Sequence, residues 1–143
     1  MKKFAPVALM AVVALITLAA TPSRAQILIK ADVPFDFCAG YGTLPAGEYK
    51  IAPTSNASAL TLSSGQRGVE IMLPRTTDWR DLRQSPKLVF HRYGDEYFLS
   101  EIWSTDGAVR TLAVHPRERK LARNGMVPLT AVVYGVAATR SGN

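Results

Sequence analysis

The stretch LVFHRYGDEYFLSEIW, Leu88 to Trp103, decides the fold. It divides into LVFHRY and EYFLSEIW around Gly94-Asp95, two runs rich in aromatic and aliphatic residues with a tight-turn dipeptide between them, the pattern of a β-hairpin. A two-residue turn sets Tyr93 against Glu96, Arg92 against Tyr97 and His91 against Phe98, with Val89, His91, Tyr93, Glu96, Phe98 and Ser100 on one face. A three-residue turn, Gly94 to Glu96, sets Tyr93 against Tyr97 and His91 against Leu99. Both satisfy the pattern, and because side chains alternate, the register decides which of them point inward.

Strand signals continue on both sides of the hairpin. Upstream, ILIKADVPFDF alternates with period two from Ile27 to Phe37, which predicts one long strand, with Pro34 marking an edge or a bulge. CAGYGTLPAG then reads as turn-rich, and Leu44-Pro45-Ala46-Gly47 suits a type I turn. Short strands are expected at 48–51, 60–62 and 69–73, with Ser63 to Gln66 as a hairpin connection. PRTTDWRDLRQSPK, 74–87, reads as a loop holding at most one helical turn.

Downstream, Thr105-Asp106-Gly107 is a turn leading to a strand over 108–114, and 127–138 reads as a last strand. Between them Pro116 to Asn124 is the one helical segment, with Pro116 at the first helical position and Gly125 as its cap. Nine residues are fewer than the roughly 12 to 15 an isolated helix needs in water, so this helix must dock on the sheet, with Leu121 and Ala122 as its apolar contacts. Seven or eight short strands, one short C-terminal helix and no βαβ alternation predict an all-β chain, a single-domain β-sandwich or small β-barrel.

The hairpin also holds the residue types of a hydrolase, His91 with Ser100 or Glu101. Diagonal neighbours across an antiparallel pair lie ~7 to 8 Å apart, whereas a working triad needs hydrogen bonds near ~2.6 to 3.2 Å, so regular strands do not deliver it. No glycine elbow surrounds Ser100. Cross-strand aromatic packing accounts for Phe90, Tyr93, Tyr97, Phe98 and Trp103 without catalysis. Asp32 and Asp36 on one extended strand sit about 13 Å apart, too far for paired-carboxylate glycoside cleavage. With His91 and His115 the only histidines, no metal-spaced set exists, and no cofactor is expected. Cys38, the only cysteine, forms no internal disulfide and reads as a small half-buried residue at a strand end. Asn56-Ala57-Ser58 matches a glycosylation tripeptide by pattern alone.

The stretches VPFDF (33–37), LPAGEYKI (44–51), LVFHRYGDEYFLSEIW (88–103) and RERKLARN (117–124) together resemble a family of small signal-peptide-bearing bacterial proteins with no assigned function. The resemblance implies a secreted β domain, and it carries over no catalytic or binding residue.

The first residues give the expected destination. Lys2 and Lys3 precede an apolar run of 16 residues, Ala5 to Ala20, followed by Ser23 and Ala25 in an A-x-A-like arrangement. This predicts a signal peptide over 1–25 cleaved between Ala25 and Gln26, a β domain over 26–138 and a polar tail over 139–143. The run is short of the roughly 20 apolar residues of a membrane-spanning helix, so no transmembrane segment is expected after cleavage. The whole chain carries +6, and the 118 residues after Ala25 carry 14 basic and 11 acidic side chains, a charge of +3. That mild excess is not the field of a dedicated nucleic-acid binder.

The expectation is therefore an exported, periplasmic or extracellular, non-enzymatic binding or structural module, whose partner is an envelope protein or a surface polymer. The candidate binding residues are His91, Arg92 and Tyr93, with the register deciding whether His91 or Arg92 is turned from the core. The basic run Arg117, Arg119, Lys120 and Arg123 adds an alternative, contact with a polyanion or an anionic membrane.

Overall fold

The structure, a computed structural model, describes residues 29–54, 58–65, 67–72, 77–79, 84–105 and 107–137. The expected signal peptide with its Ala25–Gln26 junction, Asn56 of the glycosylation pattern, positions 74–76 and 80–83 of the expected loop and the tail after 138 lie outside these residues. The described chain forms eleven strands and one helix: β1 (Ile29–Val33), β2 (Phe37–Ala39), β3 (Gly42–Leu44), β4 (Gly47–Pro53), β5 (Ala59–Ser64), β6 (Arg67–Met72), β7 (Thr77–Trp79), β8 (Lys87–Tyr93), β9 (Glu96–Trp103), β10 (Ala108–Thr111), α1 (Pro116–Arg123) and β11 (Leu129–Tyr134). Among the described residues no helix is long and apolar enough to cross a membrane.

The strands make two sheets, as expected of a sandwich or barrel-like all-β fold. One is antiparallel in the order β1-β4-β5-β6, and the other runs β11-β8-β9-β10-β7 with β2 beside β9 and β3 beside β2. Among the described residues a single bridge beyond the end of β11 links them: Lys30 and Val136 exchange backbone hydrogen bonds of 3.0 and 2.8 Å. Gly135 occupies this seam, where a Cβ would collide with Ile29 and stand 3.0 Å from the Lys30 carbonyl oxygen, so only glycine lets the two backbones approach.

The inward residues of both sheets form one core, with Ile29, Ile51, Leu60 and Leu62 from the first facing Phe37, Leu88, Phe90 and Ile102 from the second. Phe37 meets Phe90 and Tyr49 edge to face, with ring centroids 5.3 and 5.2 Å apart. Three short strands come from segments the sequence marks as turn or loop: β2 and β3 from CAGYGTL, and β7 from the 74–87 segment. The expected long strand 27–37 is broken after Val33. Pro34 has no N–H to extend the ladder, and the chain turns a corner there from the first sheet to the second. Asp36 holds the corner by accepting from the Ala46 N–H at 2.8 Å, while Phe35 stacks on Tyr97 at 3.7 Å.

The hairpin adopts the two-residue register, Tyr93 opposite Glu96, Arg92 opposite Tyr97 and His91 opposite Phe98. Gly94 permits it, with φ of 62° at the first turn position. Beyond Phe90 and Leu99 the pairing slips, so that Val89 faces Glu101 and Ser100 is the extra residue of a bulge. Leu88, Phe90, Leu99 and Ile102 consequently line the core, while His91, Tyr93 and Phe98 point out of it.

Gly135→Ala should lower stability by about 1 to 3 kcal/mol, because the added methyl must push β1 from the seam. Equilibrium urea unfolding, with the slope unchanged from wild type, checks this.

Candidate functional site

The outward hairpin face is covered by α1. Pro116 occupies its first turn, the His115 Nδ1 accepts from the Arg117 N–H at 3.1 Å as N-cap, and the Gly125 N–H closes the far end on the Ala122 carbonyl. Its contact with the sheet differs from the expected apolar one. Leu121 is half-buried and Ala122 exposed, and the buried residue of the helix is Glu118, 4% exposed. The Glu118 carboxylate lies 2.6 Å from the Nδ1 of His91 and also takes a hydrogen bond from Tyr93.

An isolated buried carboxylate is costly, so these partners are what allow the helix to sit there. The helix amides add to this, since an acid in the first turn faces the positive end of the dipole. Among the described residues no buried side-chain polar atom lacks a partner. Around the carboxylate the packing is aromatic: Tyr93 meets Phe98 at 79° with centroids 5.9 Å apart, and Phe98 lies 5.6 Å from the His115 ring. Burial, and then the neighbouring Glu118 charge and hydrogen bond, push the Tyr93 phenol above its ordinary 10.0.

A second clasp sits at the turn. Arg117 grips the Glu96 carboxylate through Nε and through Nη2, the latter at 2.9 Å, which holds Glu96 below its usual carboxylate value and pushes the guanidinium up. Arg92, on the opposite hairpin face, donates from Nε to the Gly94 carbonyl at 2.6 Å and lies 5.3 Å over the Tyr97 ring.

Of the seven candidate binding residues, His91 and Tyr93 form the seat of α1 through Glu118, and Arg117 ties the helix to Glu96 at the turn. Arg119, Lys120 and Arg123 stay exposed on the helix, with Arg119 donating to the Val114 carbonyl at 3.2 Å. The hydrolase constellation does not assemble. The acid beside His91 is Glu118, Glu101 accepts instead from the Trp103 indole N–H at 2.7 Å, and Ser100 is set off by the bulge. Asp32 stands in β1 and Asp36 beyond it, held by Ala46, so they form no pair. Among the described residues no three His, Cys, Asp or Glu side chains gather as metal ligands.

Of two clefts among the described residues, one opens at the hairpin turn and the other lies away from the hairpin, and neither is lined by His91. One, of about 350 Å³, is bordered by Asp36, Cys38, Thr43, Glu96, Tyr97 and Arg117. There Cys38 is half-buried in β2, its Sγ 3.6 Å from the Thr43 hydroxyl. The other, of about 480 Å³, runs between Tyr49, Leu62 and Val69. Sequence reasoning missed Glu118 because a charged residue in a basic run reads as solvated. The available signal was its place as the sole acid of RERKLAR, in the first turn of a helix that must dock.

Glu118→Ala should cost about 1 to 3 kcal/mol, because the buried Tyr93 hydroxyl and the His91 nitrogen lose their acceptor. Leu121→Ala should cost less than about 1 kcal/mol, since that side chain is only half-buried. Urea unfolding of the two variants separates a polar clasp from an apolar one. The raised Tyr93 phenol gives stability that is complete below pH 10.0 and lost as pH climbs through its folded value. The depressed Glu96 gives stability that is present above 4.5 and lost as pH falls through its folded value. Tyr93→Phe should flatten the alkaline limb of a stability-against-pH curve, and Glu96→Gln the acid limb.

Comparison with family models, with curated proteins and with solved structures gives no match to this chain.

Proposed function

We infer that this protein is a non-enzymatic binding or structural module of the cell envelope or extracellular space. The observation that carries this is the use to which His91 is put. The one histidine set among plausible catalytic residue types is spent, with Tyr93, on seating α1 through Glu118. The signal-peptide pattern and the family resemblance support the compartment. A broad screen of ester and glycoside substrates should find the wild type silent. A turnover that His91→Ala abolishes would instead favour the hydrolase reading.

A second reading, contact with a polyanion or an anionic membrane, is favoured by the way the same clasp sorts charge. Glu118 is the only acid of α1, and it is turned inward. The exposed side of the helix is left with Arg119, Lys120 and Arg123, while Arg117 is neutralised by Glu96. A rigid helix with three cations and no exposed acid suits a dense row of negative groups.

Binding to heparin or to vesicles containing anionic lipid should weaken steeply with added salt. It should be lost in Arg119→Gln/Lys120→Gln/Arg123→Gln with the fold intact. Binding that ignores salt and survives the triple change would remove this reading.

A further inference from the structure

The turn that leads from α1 into β11 presents apolar side chains to water. Met126, Val127 and Leu129 follow the last turn of the helix, with Val127 83% and Leu129 66% exposed. The backbone on either side holds them there. The Met126 N–H bonds to the Leu121 carbonyl at 3.2 Å and the Gly125 N–H to the Ala122 carbonyl at 3.1 Å, with Gly125 at a φ of 82°, which is a Schellman ending. Pro128 then fixes the chain direction, and Leu129 is already paired with Arg92 of β8. Only Val127 and Pro128 stand between these two anchors, too short a span to fold the apolar side chains back onto the core.

The charge beside this turn has one sign. Arg119, Lys120 and Arg123 are exposed on α1, the one acid of the helix, Glu118, is buried, and no acidic side chain occurs between Arg119 and Val136. On the hairpin, the exposed Asp95 is met by Arg92 at 3.7 Å. Exposed apolar side chains bordered by charge mark interaction surfaces, and here the border is cationic.

We propose that the α1–β11 turn is a membrane-seating wedge: Val127 and Leu129, with Met126 behind them, enter the interfacial layer of an anionic bilayer while Arg119, Lys120 and Arg123 meet its headgroups. This rests on the electrostatic contact described under the second reading above and names its partner as a lipid surface rather than a dissolved polyanion. A dissolved polyanion would neutralise the three cations and leave Val127 and Leu129 in water. A bilayer interface accepts both, since its headgroups take the cations and the boundary of its acyl chains takes the apolar side chains. The long stems of lysine and arginine let their charged ends stay at headgroup level while the turn beside them enters. Shape agrees with this occupant. The side chains project from a turn, and neither of the two clefts is lined by them, so the surface they enter must yield around them.

Co-sedimentation with vesicles tests this on the chain expressed with residues 1–25 in place and purified as its host leaves it, with heparin binding measured in parallel. Wild type should bind vesicles of mixed phosphatidylcholine and phosphatidylglycerol, and far more weakly those of phosphatidylcholine alone. Val127→Ser/Leu129→Thr should weaken vesicle binding about tenfold or more, because two apolar side chains no longer leave water, while heparin binding stays at the wild-type level. Val127→Trp should bind vesicles more tightly. Its added fluorescence, above the background of Trp79 and Trp103, should be quenched by brominated lipid, a readout local to the turn. Tyr41→Ser removes a side chain 94% exposed at the β2–β3 turn and should bind like wild type.

Equal vesicle binding by wild type and Val127→Ser/Leu129→Thr overturns the wedge and leaves a contact made by charge alone. An absence of quenching in Val127→Trp does the same, as does a Tyr41→Ser variant that weakens as much as the double change. Binding to heparin with none to anionic vesicles also overturns it and assigns the helix to a dissolved polyanion. Failure to bind either one removes the electrostatic contact together with the wedge. Circular dichroism confirms that each variant is folded, and the wild-type comparison of the two vesicle types stands independently of them.

Discussion

The turn at Gly94-Asp95 fixes the register of β8 against β9, and both sides of the second sheet follow from that register. With Tyr93 opposite Glu96, one face of the hairpin gives Phe90 and Leu99 to the core, and the other gives His91 and Phe98 to the helix. A slip of one residue would exchange the faces, burying His91 between the sheets and putting Phe90 in water. The bulge at Ser100 keeps the inward set intact along the longer strand, since it brings Ile102 back into line with Leu88.

On that outward face a short helix is held by a method unlike the packing of the core. Two turns of helix with one half-buried leucine present too little apolar area to dock by burial alone. The carboxylate of Glu118 supplies direction instead: its two neighbours, His91 and Tyr93, lie on alternate positions of β8 and accept only one placement of the helix. Hydrogen-bonded buried charge contributes uniqueness of position more readily than raw stability. The Arg117–Glu96 clasp at the turn then sets the rotation of the same helix from its first residues.

How far the molecule was legible in the sequence follows from the range of the forces involved. The hairpin, the eight longer strands and the limits of α1 were readable because they rest on alternation, turn chemistry and capping, all within a few residues. The break at Pro34 was signalled by its missing N–H but not its outcome, a change of sheet, which depends on where β9 lies. The strands β2, β3 and β7 are three residues each and exist through partners far along the chain. Glu118 was opaque for the same reason, since its burial is decided by two side chains of β8. The acid that reaches His91 was not among those considered, because it comes from α1 and not from the hairpin.

The bridge between Lys30 and Val136 also governs the order in which the molecule can form. It joins segments roughly a hundred residues apart, and the entropy of closing so long a loop opposes its early formation. The hairpin and the β4-β5-β6 meander need only local closure and can collect first, with the two-sheet core completed when the last strand arrives. Until then β1 has β4 as its only ladder partner, and the chain remains an open sheet. Closure is thus a late event, gated by the fit of Gly135 against Ile29.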